Sequence, residues 1–169
     1  MGLLHVICAK KQGARIILSE VDARRRAYAE TLGADITIDP MKSDPVEQVR
    51  SLTNGRGAAI VYNTTAIPSV AEQAVEMTAK SGICNMFSSI HPNDPICVNA
   101  GRLHSQEIYV TGTQNGTVES FRQAIDCISK GILDLKPMIQ KTYQPDDIVE
   151  AMEFASRPDT YKVLLEFSK

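Results

Sequence analysis

Apolar positions along the chain alternate between a helical and a strand-like period. From residue 2 to 13, Leu3, Leu4, Val6, Ile7 and Ala9 cover one face of a helix; Lys10 and Lys11 sit in its last turn, where cations suit the helix dipole, and Gly13 closes it. Residues 14–20 form a short apolar, β-branched run between Gly13 and Asp22, which predicts a buried strand. The alternation then repeats. Helices are predicted over 22–32, ending at Gly33, and over 44–52, entered through Asp44-Pro45; strands are predicted over 35–38, stopped by Pro40, and over 58–63. A helix over 69–80 with Ser69 as its N-cap, a strand over 83–88, a Pro- and Asn-rich crossover over 90–104, a strand over 107–112 and a helix over 118–130 follow. The tail departs from this rhythm, with Lys136-Pro137, a strand over 139–143, a helix over 146–156 and a strand over 161–167.

Short strands alternating with helices of about ten residues predict an α/β fold, a doubly wound parallel sheet covered on both faces. The change of rhythm divides the chain into segments 1–135 and 136–169. A length of 169 residues suits one sizeable core. The net charge of −2 leaves no basic excess for a phosphate polymer, which argues against nucleic acid. No apolar run approaches the roughly 20 residues of a membrane span, and the first residues lack the basic head of a signal peptide, so a soluble, cytoplasmic protein is expected. Cys8, Cys84, Cys97 and Cys127 are scattered singly, which predicts buried thiols rather than a zinc cluster.

In a parallel sheet of this kind a pyrophosphate rests on the N-terminus of the first helix, and an acid at the end of the next strand takes the ribose hydroxyls. Glu20 stands at that strand end, near the expected spacing of about 20 residues from the phosphate turn. A carboxylate there accepts hydrogen bonds from a free 2′-hydroxyl and repels a 2′-phosphate, which favours NAD over NADP; alternatively, Glu20 is a solvated edge residue. Arg25 has the right place to stack on adenine, although Arg24 and Arg26 beside it are equally consistent with a solvated basic face.

The segments GLLHVICAKKQGA, IILSEVDARRRAYAETLGAD, GICNMFSSI, LDLKPMIQKTYQPDDIVEAMEFAS and YKVLLEF together resemble the zinc-dependent medium-chain dehydrogenases, in particular their sorbitol, threonine and sugar-alcohol-phosphate branch. The resemblance runs from Gly2 to Phe167 and implies a Rossmann-type, coenzyme-binding half. It implies that Gly2 is the last glycine of the family's phosphate turn, with Leu3 beside it at the helix start, and that Glu20 and Arg25 serve the adenosine. It further implies that Thr64 and Thr65 approach the cofactor, although the family's usual glycine is replaced. Phe87, Ser88 and Ser89 fall where backbone meets the nicotinamide carboxamide. Thr113, Gln114 and Asn115 fall where polyol dehydrogenases often carry an arginine. The family's catalytic zinc ligands belong to an upstream domain, and its four-cysteine lobe has no counterpart here, so His5, His91 and His104 are read as packing or surface residues. Segment 136–169 is implied to pack on the catalytic domain.

The resemblance also implies that the family's first strand and first two glycines precede Gly2. That strand is the central one in the order 3-2-1-4-5-6, and its unpaired neighbours would each leave backbone groups costing about 1–3 kcal/mol if buried without partners. Three fillers are conceivable: an N-terminal half on a longer or separate polypeptide, a strand from a second copy, or the chain's own strand over 161–167; the first is favoured. The expectation is thus the coenzyme-binding portion of an NAD- and zinc-dependent polyol or secondary-alcohol dehydrogenase, inactive as an isolated chain and with weak or lost NAD binding. Its partners would be the missing catalytic half or a second copy. The alternative is a non-catalytic remnant that dimerises, through the strand over 107–112, or binds a partner. A flavodoxin-like receiver fits poorly, because the strand ends carry Glu20, Asn63 and Ser88 instead of an acceptor Asp among acids.

Overall fold

The structure is a computed structural model that describes residues 1–167. It divides into two compact units, Met1–Gly116 and the residues from Thr117 onward.

The first unit opens with helix α1 (Gly2–Lys11), which buries Leu3, Val6 and Ile7. Two short parallel strands follow, β1 (Ile17–Ser19) and β2 (Ile36–Ile38), paired Ile17 to Ile36 and Ser19 to Ile38. Helix α2 (Ala23–Thr31) connects them, capped by Asp22, whose carboxylate accepts the Arg25 N–H at 2.9 Å. Helix α3 (Pro45–Leu52) is capped in the same way by Asp44. Then come β3 (Ala58–Asn63), α4 (Pro68–Met77), β4 (Thr78–Met86), α5 (Ala100–Gln106) and β5 (Tyr109–Gly112). The three strands form a parallel sheet ordered β3-β4-β5.

The pair β1-β2 and the triplet β3-β4-β5 are separate sheets, yet they belong to one packed body. Buried Ile38, Val49 and Met77 form a cluster against which Ile17 from β1 and Ala58 and Val61 from β3 also pack. A second cluster, Ala74, Val75 and Cys84, is shared by α4 and β4 and contacts Leu103 of α5. Helix α1 spans both sheets. Its start lies against Thr64, just past the end of β3, while its end is fixed to the start of β2 by a 2.6 Å ion pair between Lys10 and Asp35. The two sheets therefore point the same way, one carrying the pair β2-β1 and the other the triplet β3-β4-β5. These match the 3-2 and the 4-5-6 portions of the 3-2-1-4-5-6 order.

The final strand does not serve there. β7 (Lys162–Leu165) pairs in parallel with β6 (Ile139–Tyr143) in a sheet of the second unit, which removes the chain's own tail as a filler. That unit also contains α6 (Val118–Ser129) and α7 (Ile148–Ala155), with Met138, Tyr143 and Ala151 buried. By contacts, α6 falls in the second unit.

Two boundaries differ from the sequence reading for local reasons. Helix α4 is entered through Ile67 and Pro68 rather than Ser69, because proline suits the first helical position and holds its predecessor extended, with Ile67 at φ −112° and ψ 118°. It stops at Met77, since Thr78 is already paired with Ala58. Within the expected crossover lies α5, capped by Asn99, whose carbonyl oxygen accepts the Arg102 N–H at 2.9 Å. Its end at Glu107, in the left-handed region at φ 53°, delays β5 to Tyr109. The cysteines are also a correction: Cys84 is buried, but Cys8 and Cys97 are exposed and Cys127 is intermediate. No described helix is long and apolar enough to cross a membrane.

Candidate functional site

Parallel strands place all their carboxyl ends on one edge, and most of the residues singled out above lie there. The first cluster forms where α1 meets β3 and β4. A Cβ on Gly2 would stand 3.3 Å from Thr64 Oγ1, so the helix start and the end of β3 are in near contact. Nothing in the first turn of α1 is acidic, and its leading N–H groups, Gly2 and Leu3 among them, have no carbonyl one turn back to serve. The side chain of Leu3 is buried in the core, which leaves its N–H as the only group it can offer a ligand. His5, on the same helix, lays its ring against Tyr62 at 4.8 Å and meets Phe87 edge to face at 4.6 Å.

Asn63 organises the ends of β3 and β4. It is buried, its side chain binds Thr65 in an Asx-type turn, and its carbonyl accepts the N–H groups of Phe87 at 2.9 Å and Ser88 at 3.3 Å. The backbone at Phe87 and Ser88 is thereby fixed to the strand before it. Ser89 is exposed beyond that anchor. Thr113 sits one step further along the edge, where its N–H donates to Met86 O at 3.2 Å and its hydroxyl accepts Asn85 Nδ2 at 2.6 Å. Gln114 is exposed beside it, and Asn115 adopts φ 57°.

The second cluster stands at the end of β1. Glu20 is half-buried, its N–H donates to Ile38 O at 3.1 Å, and its Oε1 accepts the Asp22 N–H at 3.0 Å. The carboxylate is thus held at the mouth of α2. Asp22 beside it titrates below the ordinary carboxylate range, first because the Arg25 N–H binds its charged form. Arg26 binds this edge together. Its guanidinium donates to Glu20 O at 2.6 Å, Val21 O at 2.8 Å and Asp39 at 2.9 Å, joining the ends of β1 and β2. The basic run at 24–26 is therefore not a uniform solvated face.

Sequence reasoning named most of this edge but missed the roles of Asn63, Arg26 and Asn85. Asn63 had a readable signal, an Asn ending a strand before two threonines, which favours a side-chain turn. The other two have none, because their partners are brought from distant positions. Among the described residues no group of three or more His, Cys, Asp or Glu side chains is arranged to hold a metal ion. The residues present therefore do not fit a zinc site.

Ligands of open α/β sheets bind outside the carboxyl ends, where the strand order reverses, and here that point lies between β1 and β3. The architecture is that of a Rossmann-type dinucleotide-binding unit. Residues 1–130 match the family described as zinc-binding dehydrogenase; the chain belongs to that family and corresponds to its coenzyme-binding half. It is 30% identical to the L-threonine 3-dehydrogenase of Bacillus velezensis, over 98% of this chain and 48% of that protein. Its fold superposes on the 2R,3R-butanediol dehydrogenase of Bacillus subtilis with a TM-score of 0.85 and 26% identity, over 99% of this chain and 48% of the other. A zinc-binding dehydrogenase of Sinorhizobium meliloti 1021, solved bound to NADP, shares the fold with a TM-score of 0.87 at 23% identity, over 97% of this chain and 48% of the other. The chain spans about half the length of the curated relatives it matches.

Proposed function

We propose that this chain is the coenzyme-binding portion of an NAD- and zinc-dependent dehydrogenase of polyols or secondary alcohols, and that by itself it does not catalyse. The observation that carries the reading is Glu20, a carboxylate anchored at the carboxyl end of β1 on the edge where α1 begins. Relatives named for L-threonine and 2R,3R-butanediol support the substrate class, since both molecules carry a secondary alcohol.

NAD supplies a nicotinamide that accepts hydride when bound. The chain's own residues would hold it. Gly2 and Leu3 would offer N–H groups to the pyrophosphate, Glu20 would accept the ribose hydroxyls, and Arg25 would flank the adenine. Thr64, Thr65, Thr113 and Gln114 would line the cleft, with the backbone at Phe87, Ser88 and Ser89 facing the carboxamide. No step is assigned to zinc in this chain. A partner half bearing the metal ligands would bring it, in a cytoplasmic setting that suits an exposed thiol such as Cys97.

Weak affinity for NAD is part of this proposal for residues 1–169 taken by themselves, apart from a partner half. Calorimetric titration tests this. Millimolar NAD binding, with NADP weaker, supports the reading; micromolar NAD binding by the monomeric chain, or a preference for NADP, contradicts it.

A second reading has one observation in its favour. β5 is the outer strand of its sheet, with Tyr109 64% and Val110 39% exposed, a surface suited to edge pairing with a second copy. A non-catalytic, dimerising module would scatter light as a dimer and give no heat with NAD.

A further inference from the structure

The end of the first unit opposite the coenzyme edge carries features that the proposed dehydrogenase role does not use. The turn from Thr53 to Gly57, between α3 and β3, separates two adjoining surface pockets of about 340 and 430 Å³, and both are lined by Arg56 and Gly57. The larger is polar and gathers three guanidinium groups, from Arg50, Arg56 and Arg102, around one carboxylate, Glu76. The smaller is bordered by Leu52, Ala59 and Ala79 and adds Arg15 at its rim.

The arginines divide into fixed and available. Arg102 is only 15% exposed and spends its guanidinium on the carbonyls of Val75, Glu76 and Thr78, which pins it at the end of α4. Arg50 reaches Glu76 at 3.4 Å, and Arg102 reaches the same carboxylate at 3.6 Å. Arg56 is exposed and tethered through Nε alone, to Thr53 O at 3.2 Å. Its two terminal nitrogens make no hydrogen bond among the described residues. The pocket thus holds three positive charges against one negative, with one donor fork uncommitted between a polar and an apolar chamber.

The turn that presents Arg56 is held rigidly. Gly57 lies at φ +84°, and a Cβ there would fall 2.6 Å from Met77 O, so the loop is pressed against the start of β4. Its own N–H groups are already bonded, Gly55 to Arg50 O and Gly57 to Thr53 Oγ1, so recognition falls to the arginines.

We propose that this is an anion site for a phosphomonoester of a small organic molecule. The phosphoryl group would lie among Arg50, Arg56 and Arg102, and the organic portion would rest over Ala59 and Ala79. Guanidinium forks match phosphoryl oxygens in planar, bidentate contacts, and the combined volume is of the size that small ligands occupy.

The test uses inorganic phosphate and phenyl phosphate as probes on the full chain, read by calorimetry and by amide shifts in two-dimensional NMR. Both probes should shift the amides of residues 53–57, and phenyl phosphate should bind more tightly because it also fills the apolar chamber. Arg56→Gln, an exposed substitution, should weaken both by about tenfold or more. Glu76→Gln should tighten both by removing the competing carboxylate. Absence of binding, shifts at Gly2 and Leu3 instead of the turn, affinities indifferent to Arg56→Gln, or weaker binding in Glu76→Gln would each overturn the proposal.

Discussion

Asn63 and Thr65 hold each other by three hydrogen bonds: Asn63 Oδ1 accepts the Thr65 N–H at 3.2 Å and its hydroxyl at 2.9 Å, while Asn63 Nδ2 donates to Thr65 O at 3.2 Å. The backbone carbonyl of Asn63 also accepts Phe87 and Ser88, so one buried residue joins its own turn, through the side chain, to the end of the neighbouring strand, through the backbone. Asn63→Ala removes the three bonds to Thr65 while the backbone bonds to Phe87 and Ser88 remain, and should destabilise the chain by about 1–3 kcal/mol. Urea unfolding followed by circular dichroism measures this. A change within error would mean that the turn is held by other contacts.

The neighbouring Arg25 and Arg26 should respond to different measurements. Arg26 is 14% exposed and links Glu20 O to Asp39, so Arg26→Gln should lower stability by about 1–3 kcal/mol, as loss of charged hydrogen bonds does. Arg25→Gln should weaken NAD binding, which calorimetric titration measures. A urea midpoint untouched by Arg26→Gln, or an NAD affinity untouched by Arg25→Gln, would contradict the assignment.

Acid sensitivity should pass through Asp35. Its carboxyl is held below the usual value, first by the Lys10 ammonium and then by the Ile16 N–H. A depressed folded-state value means that the stabilisation is fully present above the unfolded value of about 3.9 and is lost as pH falls through the folded value. Asp35→Asn should therefore flatten the acid limb of a stability-against-pH curve, below about pH 4, and leave its neutral-to-basic slope intact. An unaltered acid limb would show that other carboxylates govern it.

Gly57 allows a sharp test of the packing between the turn and β4. Gly57→Ala combines a left-handed backbone with a Cβ 2.6 Å from Met77 O and should destabilise by about 1–3 kcal/mol or more. Gly55→Ala, also at positive φ but with open space around its Cβ, isolates the conformational part and should lose less. Thermal melts of the pair decide this, and equal losses would remove the steric argument.

Most of the fold was readable from periodicity, because the strands are apolar, β-branched runs such as Ile36–Ile38, of which only Ile38 is buried, and the helices carry local caps such as Asp22 and Asp44. Helix α5 was hidden because its signals, Asn99 and the left-handed Glu107, sit in a Pro- and Asn-rich stretch that reads as loop. The candidate edge was legible where a residue type carries its own chemistry, as with Glu20 at a strand end. It was illegible where function depends on a distant partner: nothing in the run Arg24-Arg25-Arg26 says that the third turns inward to Asp39. The fate of the last strand was equally hidden, since an apolar run does not name its neighbour, and β7 chose β6.

The central claim is that the carboxyl edge bearing Glu20 takes NAD. Amide-resolved NMR titration of the chain with NAD, in parallel with Glu20→Ala, tests it most directly. The account predicts shifts at Gly2, Leu3, Glu20, Thr64 and Ser88, larger with NAD than with NADP, and loss of that preference in Glu20→Ala. Shifts confined to the opposite end of the sheet, or an NAD preference untouched by Glu20→Ala, would contradict it.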